Sequence, residues 1–233
     1  RAGGSGLGNE PVGPPNLFPT GTGPVESQGE DMMIEVKAIA DLHRTTVRRW
    51  HQQEIDNPYQ GFLALVCEEH QRNFRLWHEE DLARSRTAGD AQIAQVKRNI
   101  DVLNQQRNDL IEKLDDHLVA LVRAEAAPAR PDAPLNTETP GSVIDRLSIL
   151  ALRIYHLHEQ TVRDDASEEH LENARRRLRI CQEQYKDLTT SLAELLDDIF
   201  AGRKRLKVYR QLKMYNDPAY NPVLYSTARR NAA

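Results

Sequence analysis

One run of apolar residues limits the fold of this chain more than any other feature. Its members alternate between three- and four-residue spacing, which is the period of a helix with one continuous apolar face, as in coiled coils. Such a helix must bury that face against its own bundle or against a second chain. Because Leu206 and Tyr209 continue the register, we predict that the helix passes Gly202 and ends at Asp217-Pro218. The run consists of Leu171, Ala174, Leu178, Cys181, Tyr185, Leu188, Leu192, Leu195 and Ile199.

Four earlier segments also have a helical apolar period, and the alternating pattern of β-strands is absent from the sequence. The fold class is therefore all-α, an antiparallel helical bundle of about five helices with a long C-terminal helix. We expect one domain over residues 31–225, with a Pro-rich loop near 127–140. Turn and proline signals place the first four helices at about residues 32–55, 59–85, 90–126 and 140–164.

The two ends of the chain differ from the rest. Residues 1–30 hold eight of the twelve glycines and five of the twelve prolines, without a periodic apolar pattern. Such a segment cannot bury enough surface to offset the entropy of ordering it. We therefore expect a disordered tail or linker at residues 1–30 and a disordered C-terminus at residues 226–233.

Charge and cysteine content limit where in the cell the protein is expected and which kinds of partner it is expected to bind. The formal charge of -4 is spread along the chain, which argues against a nucleic-acid-binding surface. No apolar run is long enough to span a membrane. Cys67 and Cys181 both lie in predicted helices, where we expect them to be reduced core side chains. These features predict a cytoplasmic protein whose partner is a second copy of the chain or another helical protein.

Polar residues occupy helix faces that the apolar pattern assigns to the core. In the second predicted helix, the arc that contains Val66 and Trp77 also contains Glu69, Asn73, Glu80 and Arg84. In the third, Arg107 lies at the centre of the apolar stripe. Beside that stripe runs a row formed by Lys97, Asp101, Asn104, Asn108 and Glu112.

Arg107 requires anionic partners if it is buried, because a guanidinium group does not lose its proton. Glu80, Asp101 or Asp145 could supply them. Three interpretations stay open. The polar residues could form a structural network that fixes helix register, they could form a ligand site between helices, or Arg107 could reach solvent sideways.

The fourth predicted helix is apolar on most of its circumference and should lie at the centre of the bundle. Pro140 suits its first turn, and Ser142, three residues before Asp145, resembles a capping box. The simplest role of Asp145 is then to cap this helix. For His156 and His158 the simplest role is that of a hydrogen-bonded structural histidine, with catalysis as the alternative.

Spacing tests argue against several kinds of catalytic site. The chain has no Glu-x-x-His pair of the di-metal bundle type, no Cys/His zinc pair, no Gly-rich phosphate loop and no Gly-x-Ser-x-Gly elbow. Acidic residues of the fifth helix match a pyrophosphohydrolase pattern. However, a continuous helix would hold Glu172 and Glu194 about 33 Å apart, so we interpret that match as accidental.

Four blocks of the sequence carry a resemblance to a known family. They are NFRLWHEEDLAR, KRNIDVLNQQRNDLIEKLD, PGSVIDRLSILALRIYH and KMYNDPAYNP. In this order they resemble a bacterial family of uncharacterised all-helical proteins known as domain of unknown function 4254. The resemblance implies no particular activity. It does imply a link to surface-glycan metabolism, because members of that family often neighbour glycosyltransferase genes of the lipopolysaccharide type.

The family blocks contain the polar residues found from helical geometry, and we call this set the candidate polar seam. Its members are Asn73, His78, Glu80, Asp81, Arg84, Lys97, Asp101, Asn104, Arg107, Asn108, Glu112, Asp145 and Arg146.

Two hypotheses for function follow. The first is a helical binding or accessory protein that is oligomeric through its long helix and acts on a partner enzyme or holds a polar ligand. We favour it because no known catalytic arrangement passes the spacing tests. The second is a metal-assisted hydrolase or transferase acting on a phosphorylated or nucleotide-sugar substrate, with Arg84, Lys97 and Arg107 meeting phosphate. Its magnesium ligands would be Glu80, Asp81, Asp101 and Glu112. The sequence does not identify the catalytic residues, and it suggests a cofactor, magnesium, only under this second hypothesis.

Overall fold

The structure is a computed structural model that describes residues 34–210 and 219–223. Long α-helices and their connections form this part of the chain, which contains no β-strand and one isolated bridge, between Leu135 and Arg205. The predicted all-α fold class is confirmed. The predicted disordered segments 1–30 and 226–233 lie outside the described residues. The helices are α1 (Val36–Trp50), α2 (Gly61–Leu82), α3 (Asp90–Glu125), α4 (Pro140–Thr161) and α5 (Glu168–Phe200).

The core of the bundle surrounds α4, which packs against each of the other four helices. Ile144, Leu147 and Ile154 are almost completely buried, and each such side chain contributes about 1.5–3 kcal/mol relative to an exposed one. The prediction that α4 is the central helix is confirmed. None of the helices in the described ranges has the length and apolarity needed to cross a lipid bilayer. Cys67 and Cys181 are buried free thiols, as predicted.

The start of α4 confirms part of the sequence prediction and corrects another part. Pro140 is the first helical residue, but the cap is Thr139, whose side chain accepts a hydrogen bond from the Ser142 amide. Asp145 is not the capping residue, because it lies a further turn into the helix and faces Arg107. Gly141 allows α4 to approach α3 closely, since a Cβ atom there would lie 2.7 Å from the Asp115 Oδ1 that accepts its amide hydrogen bond.

The long helix α5 ends earlier than predicted. Its last helical residue is Phe200, and Gly202 has a φ of +67°, a left-handed conformation that ends a helix. A Cβ atom at Gly202 would lie 2.5 Å from the carbonyl oxygen of Pro128. Leu206 and Tyr209 therefore do not extend the helical seam. The predicted stop at Asp217-Pro218 lies outside the described residues.

The apolar face of α5 is used within the same chain. Tyr185, Leu192 and Leu196 belong to the main hydrophobic core together with residues of α1 and α4. The Tyr185 hydroxyl also donates a hydrogen bond to the Ala40 carbonyl at 3.2 Å. The bundle itself therefore covers much of this face, and the predicted homo-oligomer stays a prediction.

Candidate functional site

A network of buried polar side chains joins α2, α3 and α4. Asn73 Nδ2 donates to Asp145 Oδ1 at 3.0 Å and to Ser148 Oγ at 2.9 Å, and it also contacts Glu69 Oε1. The Arg107 guanidinium donates to both oxygens of Asp145 at 2.5 Å. We call Glu69, Asn73, Arg107, Asp145 and Ser148 the buried network.

The two carboxyl groups of this network differ in protonation: one is neutral and the other is ionised. Burial raises the pKa of Glu69 well above its usual value, and the nearby Asp145 carboxylate raises it further. Burial also acts to raise the pKa of Asp145, but hydrogen bonds from Arg107 and Asn73 outweigh it and hold that pKa below its usual value. Glu69 is therefore neutral, while Asp145 forms an ion pair with Arg107.

Two neutral histidines lie beside the network. His70 Nδ1 is 2.7 Å from Ser148 Oγ, and the ring of His43 lies 4.7 Å from that of His70. Burial lowers the pKa of His43 to about 3 and that of His70 well below its usual value. Both ring nitrogens of His43 and Glu69 Oε2 have no hydrogen-bond partner in the described part of the chain. Neutral forms limit the cost of leaving them unpaired.

The structure brings together only part of the candidate polar seam. Asn73, Arg107 and Asp145 meet in the buried network, so Asp145 is the partner that Arg107 requires. Glu80 and Asp101 are not that partner. They lie in exposed local pairs, Glu80 of α2 with Arg84 at 2.7 Å and Asp101 of α3 with Lys97 at 2.6 Å.

The remaining members of the candidate polar seam are dispersed. Arg146 pairs with Glu138, and Glu112 pairs with Arg210. Asn108 donates to the backbone of Asn104, one turn earlier in α3. The structure does not bring the four predicted magnesium ligands together, since three of them are paired with different cations. Within the described ranges, the side chains that lie close enough together to hold a metal ion are three histidines outside this set of four.

These histidines come from three elements and form what we call the histidine cluster: His51, His78 and His156. One potential ligand atom from each lies within 4.8 Å of the others. Their ring centroids are 5.3 Å (His51 to His78), 5.0 Å (His51 to His156) and 5.7 Å (His78 to His156) apart. The cluster is half-buried.

Each member of the cluster uses its Nδ1 atom for a hydrogen bond. His51 Nδ1 lies 2.6 Å from the Val47 carbonyl, and His78 Nδ1 lies 2.8 Å from the Phe74 carbonyl. His156 Nδ1 is 2.8 Å from Glu159 Oε2. Because these oxygens only accept, Nδ1 carries the hydrogen, and in a neutral ring Nε2 then has the free lone pair. His51 Nε2 and His156 Nε2 are buried without a hydrogen-bond partner in the described part of the chain.

Aromatic rings fix the orientation of the three imidazoles. His51 stacks on Tyr155 at 4.0 Å, and His156 stacks on Trp77 at 5.0 Å with the planes 9° apart. His78 packs against Phe74 at 4.5 Å. Burial lowers the pKa of His51, and the neighbouring His156 and His78 lower it further, which favours the neutral ring that a metal requires.

The local fold around residue 51 explains how it reaches the other two histidines. α1 ends at Trp50, short of the predicted end near residue 55, and His51 is its C-cap. Asp56 fixes this end, because its carboxylate accepts hydrogen bonds from Arg49 at 2.6 Å and from the Trp50 indole at 3.1 Å. α1 packs against α2 and α4, and the ring of His51 at its end lies 5.3 Å from that of His78 and 5.0 Å from that of His156.

The comparisons with known proteins identify a family. The protein-family model described as "Protein of unknown function (DUF4254)" matches residues 63–208. The chain belongs to the DUF4254 family. This confirms the resemblance found in the sequence, and the match includes His78 and His156, while His51 precedes it. No curated protein and no solved structure shows significant similarity to this DUF4254 chain.

Sequence reasoning found only part of the histidine cluster of this DUF4254 member. His78 is in the candidate polar seam and His156 had a catalytic alternative, but His51 was missed and His158 lies outside the cluster. The three ligands are far apart in sequence and come from three elements, so spacing tests for local Cys/His or Glu/His pairs could not detect them. No local signal marks His51, whose role depends on where α1 ends.

Proposed function

We propose that this DUF4254 chain is a binding protein whose ligand is a divalent transition-metal ion, held by the histidine cluster. The observation that supports this proposal is the convergence of three imidazoles whose Nδ1 atoms are already hydrogen-bonded. A second partner on Nδ1 is the usual arrangement of metal-binding histidines, since it fixes the tautomer and the ring orientation.

The distances suit a small tetrahedral ion. Zinc binds imidazole nitrogen at about 2.0–2.1 Å, which places the nitrogens of a tetrahedral site about 3.3 Å apart. Ligand atoms within 4.8 Å of one another would move closer together on binding such an ion. Imidazole ligands suit zinc, copper, nickel or iron, whereas magnesium prefers oxygen. The ion proposed here is therefore not the magnesium of the hydrolase hypothesis.

The number of ligands supports a second candidate function, that of a metal-assisted hydrolase. Structural zinc sites usually have four protein ligands, whereas catalytic sites have three and leave one position for water or substrate. A metal ion bound by three histidines would lower the pKa of a bound water and make it a nucleophile near neutral pH. The metal-binding proposal does not depend on this step.

We infer that the buried network is structural. Both oxygens of Asp145 are paired with Arg107, Asn73 is enclosed by its partners, and Glu69 is neutral, so little is left to bind a ligand. Such a network fixes the register of α2, α3 and α4. The predicted partner enzyme, homo-oligomer, surface-glycan link and cytoplasmic location stay predictions.

Direct metal titration tests the proposal. We expect the chain, freed of metal by a chelator, to bind one zinc ion, and X-ray absorption of the complex to indicate nitrogen ligands of the imidazole type. His51→Ala, His78→Ala and His156→Ala should each weaken zinc binding, while the control His158→Ala, on the same helix as His156, should not. Zinc binding that is absent, or that survives all three substitutions, would contradict the proposal.

A further inference from the structure

An open groove of about 560 Å³ lies beside His156, between α4, α5 and the end of α2. We propose that this groove takes a small phosphorylated molecule, whose phosphate group is held by Arg153 and Arg177 next to the metal ion. This inference rests on the proposed function, because the metal ion supplies part of the positive charge that selects the ligand.

The spacing of residues along the two helices builds the groove. Arg153, His156 and Leu157 lie on one face of α4, one turn apart, and Arg177 and Cys181 lie on the facing side of α5. Arg153 acts across the groove, because it opposes the rise in the Cys181 pKa that burial causes. Arg153 and Arg177 line the same groove as His156.

The two arginines have no carboxylate partner in the described part of the chain. Neither forms a hydrogen bond or an ion pair with any residue that the structure describes, and both are exposed. This distinguishes them from Arg84, Arg146 and Arg175, which are paired with a carboxylate. A guanidinium group presents parallel donors that match the oxygens of a phosphate, and such bonds are among the strongest in proteins.

The charge of the groove favours a dianion. A divalent ion on three neutral imidazoles keeps its full charge, and Arg153 and Arg177 add two more positive charges. Asp81 is the only carboxylate that lines the groove among the described residues. A phosphate monoester carries about -1.5 to -2 at neutral pH, so it balances this charge better than a single carboxylate does.

The rest of the groove wall indicates a molecule larger than free phosphate. Trp77, Leu157 and Ile180 provide apolar surface, and Ile180 is 48% exposed despite its size. An exposed apolar surface next to a cluster of cations suits a ligand that is anionic at one end and apolar at the other. Phenyl phosphate is a simple probe with both properties.

The test is calorimetric titration of the zinc-loaded full chain, without excess zinc, with phenyl phosphate and with inorganic phosphate. Arg153→Gln and Arg177→Gln should each weaken phenyl phosphate binding by about tenfold, since each removes a charge-assisted pair, and should leave zinc affinity unchanged. Arg179→Gln is the matched control, because it is the same change on the same helix, where Arg179 borders a different surface depression.

The results separate this inference from the proposed function. Zinc binding without phenyl phosphate binding, or an equal loss in Arg179→Gln, would overturn the phosphate groove and leave the metal site. Equal affinities for inorganic and phenyl phosphate would overturn the assignment to a larger molecule. If no zinc binds, the proposed function fails. The metal-free chain is then titrated with phenyl phosphate. Binding that depends on both Arg153 and Arg177 supports the anion site, and absence of such binding overturns the anion site.

Discussion

The buried network and the histidine cluster are both polar groups inside an apolar bundle, but their hydrogen bonding differs. In the buried network, donors and acceptors face one another, and Arg107 and Asp145 satisfy each other directly. In the histidine cluster, the Nδ1 atoms are paired, while His51 Nε2 and His156 Nε2 are buried without a partner among the residues that the structure describes.

This difference separates a structural role from a binding role. Unpaired buried polar atoms cost free energy, so they are kept where something else satisfies them. Glu69 in the buried network and His43 beside it also have atoms without a hydrogen-bond partner among the described residues. Within the described ranges, these atoms do not form a group with metal-ligand spacing, whereas the histidine cluster does.

The largest expected effect is the loss of stability when a substitution removes the Arg107–Asp145 ion pair from the buried network. Arg107→Ala leaves the Asp145 carboxylate buried without its cation, which costs about 3–5 kcal/mol of stability. For a chain of this size that is a fall in the melting temperature of about 10 °C. The control is Lys97→Ala, which removes an exposed pair worth about 0–1 kcal/mol. A melting temperature within a degree of wild type would contradict a buried pair at Arg107.

The second expected effect is the stabilisation of the folded chain by zinc bound at the histidine cluster. Zinc at about 100 times its dissociation constant should add about 2.7 kcal/mol to the free energy of unfolding of the metal-free chain. Differential scanning calorimetry should then show a rise of several degrees in melting temperature. His78→Gln should abolish this rise, and His158→Gln should keep it. A rise of equal size in His78→Gln would place the ion elsewhere.

A third substitution tests whether hydrogen bonds to Nδ1 serve metal binding. Glu159→Ala removes the acceptor that orients His156, and loss of such a partner weakens metal binding by about 10–100-fold. Because Glu159 is exposed, the melting temperature of the metal-free chain should hardly change. An unchanged zinc affinity, measured by competition with a chromophoric chelator, would show that Glu159 does not orient the ring.

The smallest expected effect concerns the protonation of Glu69 in the buried network. Glu69 has a raised pKa in the folded chain, so above its usual value of 4.5 the unfolded chain releases its proton first. The contribution of Glu69 to stability therefore falls as pH rises past that value, and comparison with a Gln variant isolates this contribution from those of His43 and His70. Glu69→Gln should be more stable than wild type at neutral pH, with the difference vanishing below pH 4.5 in denaturant titrations.

The control for this pH dependence is Glu68→Gln, which changes an exposed neighbour. It should not reproduce the pattern. A Glu69→Gln chain that is less stable than wild type at neutral pH would indicate that Glu69 is ionised in the network.

Much of the fold could be predicted because its signals are local. The helical period determined the class, and Pro140 marked the start of α4 because a proline at the first helical position acts on its own helix. The end of α5 could not be predicted, since the left-handed Gly202 lies against the backbone of Pro128, a contact with a distant segment.

The same distinction applies to the two polar regions. Arg107 was recognisable because a cation at the centre of an apolar stripe requires a partner, and the sequence offered few acids to choose from. The histidine cluster depends on the relative position of three elements. His51 in particular reaches it because Asp56 ends α1 at that point.

The Pro-rich connection between α3 and α4 has a consequence for how the bundle opens. The amides of Ala127 and Arg130 donate to the carbonyls of Phe200 and Gly202, and the Arg205 amide donates to the Pro134 carbonyl. These bonds fasten the C-terminal ends of α3 and α5 to each other. Neither end can fray without releasing the other, so amide hydrogen exchange at the two ends should proceed as one cooperative unit.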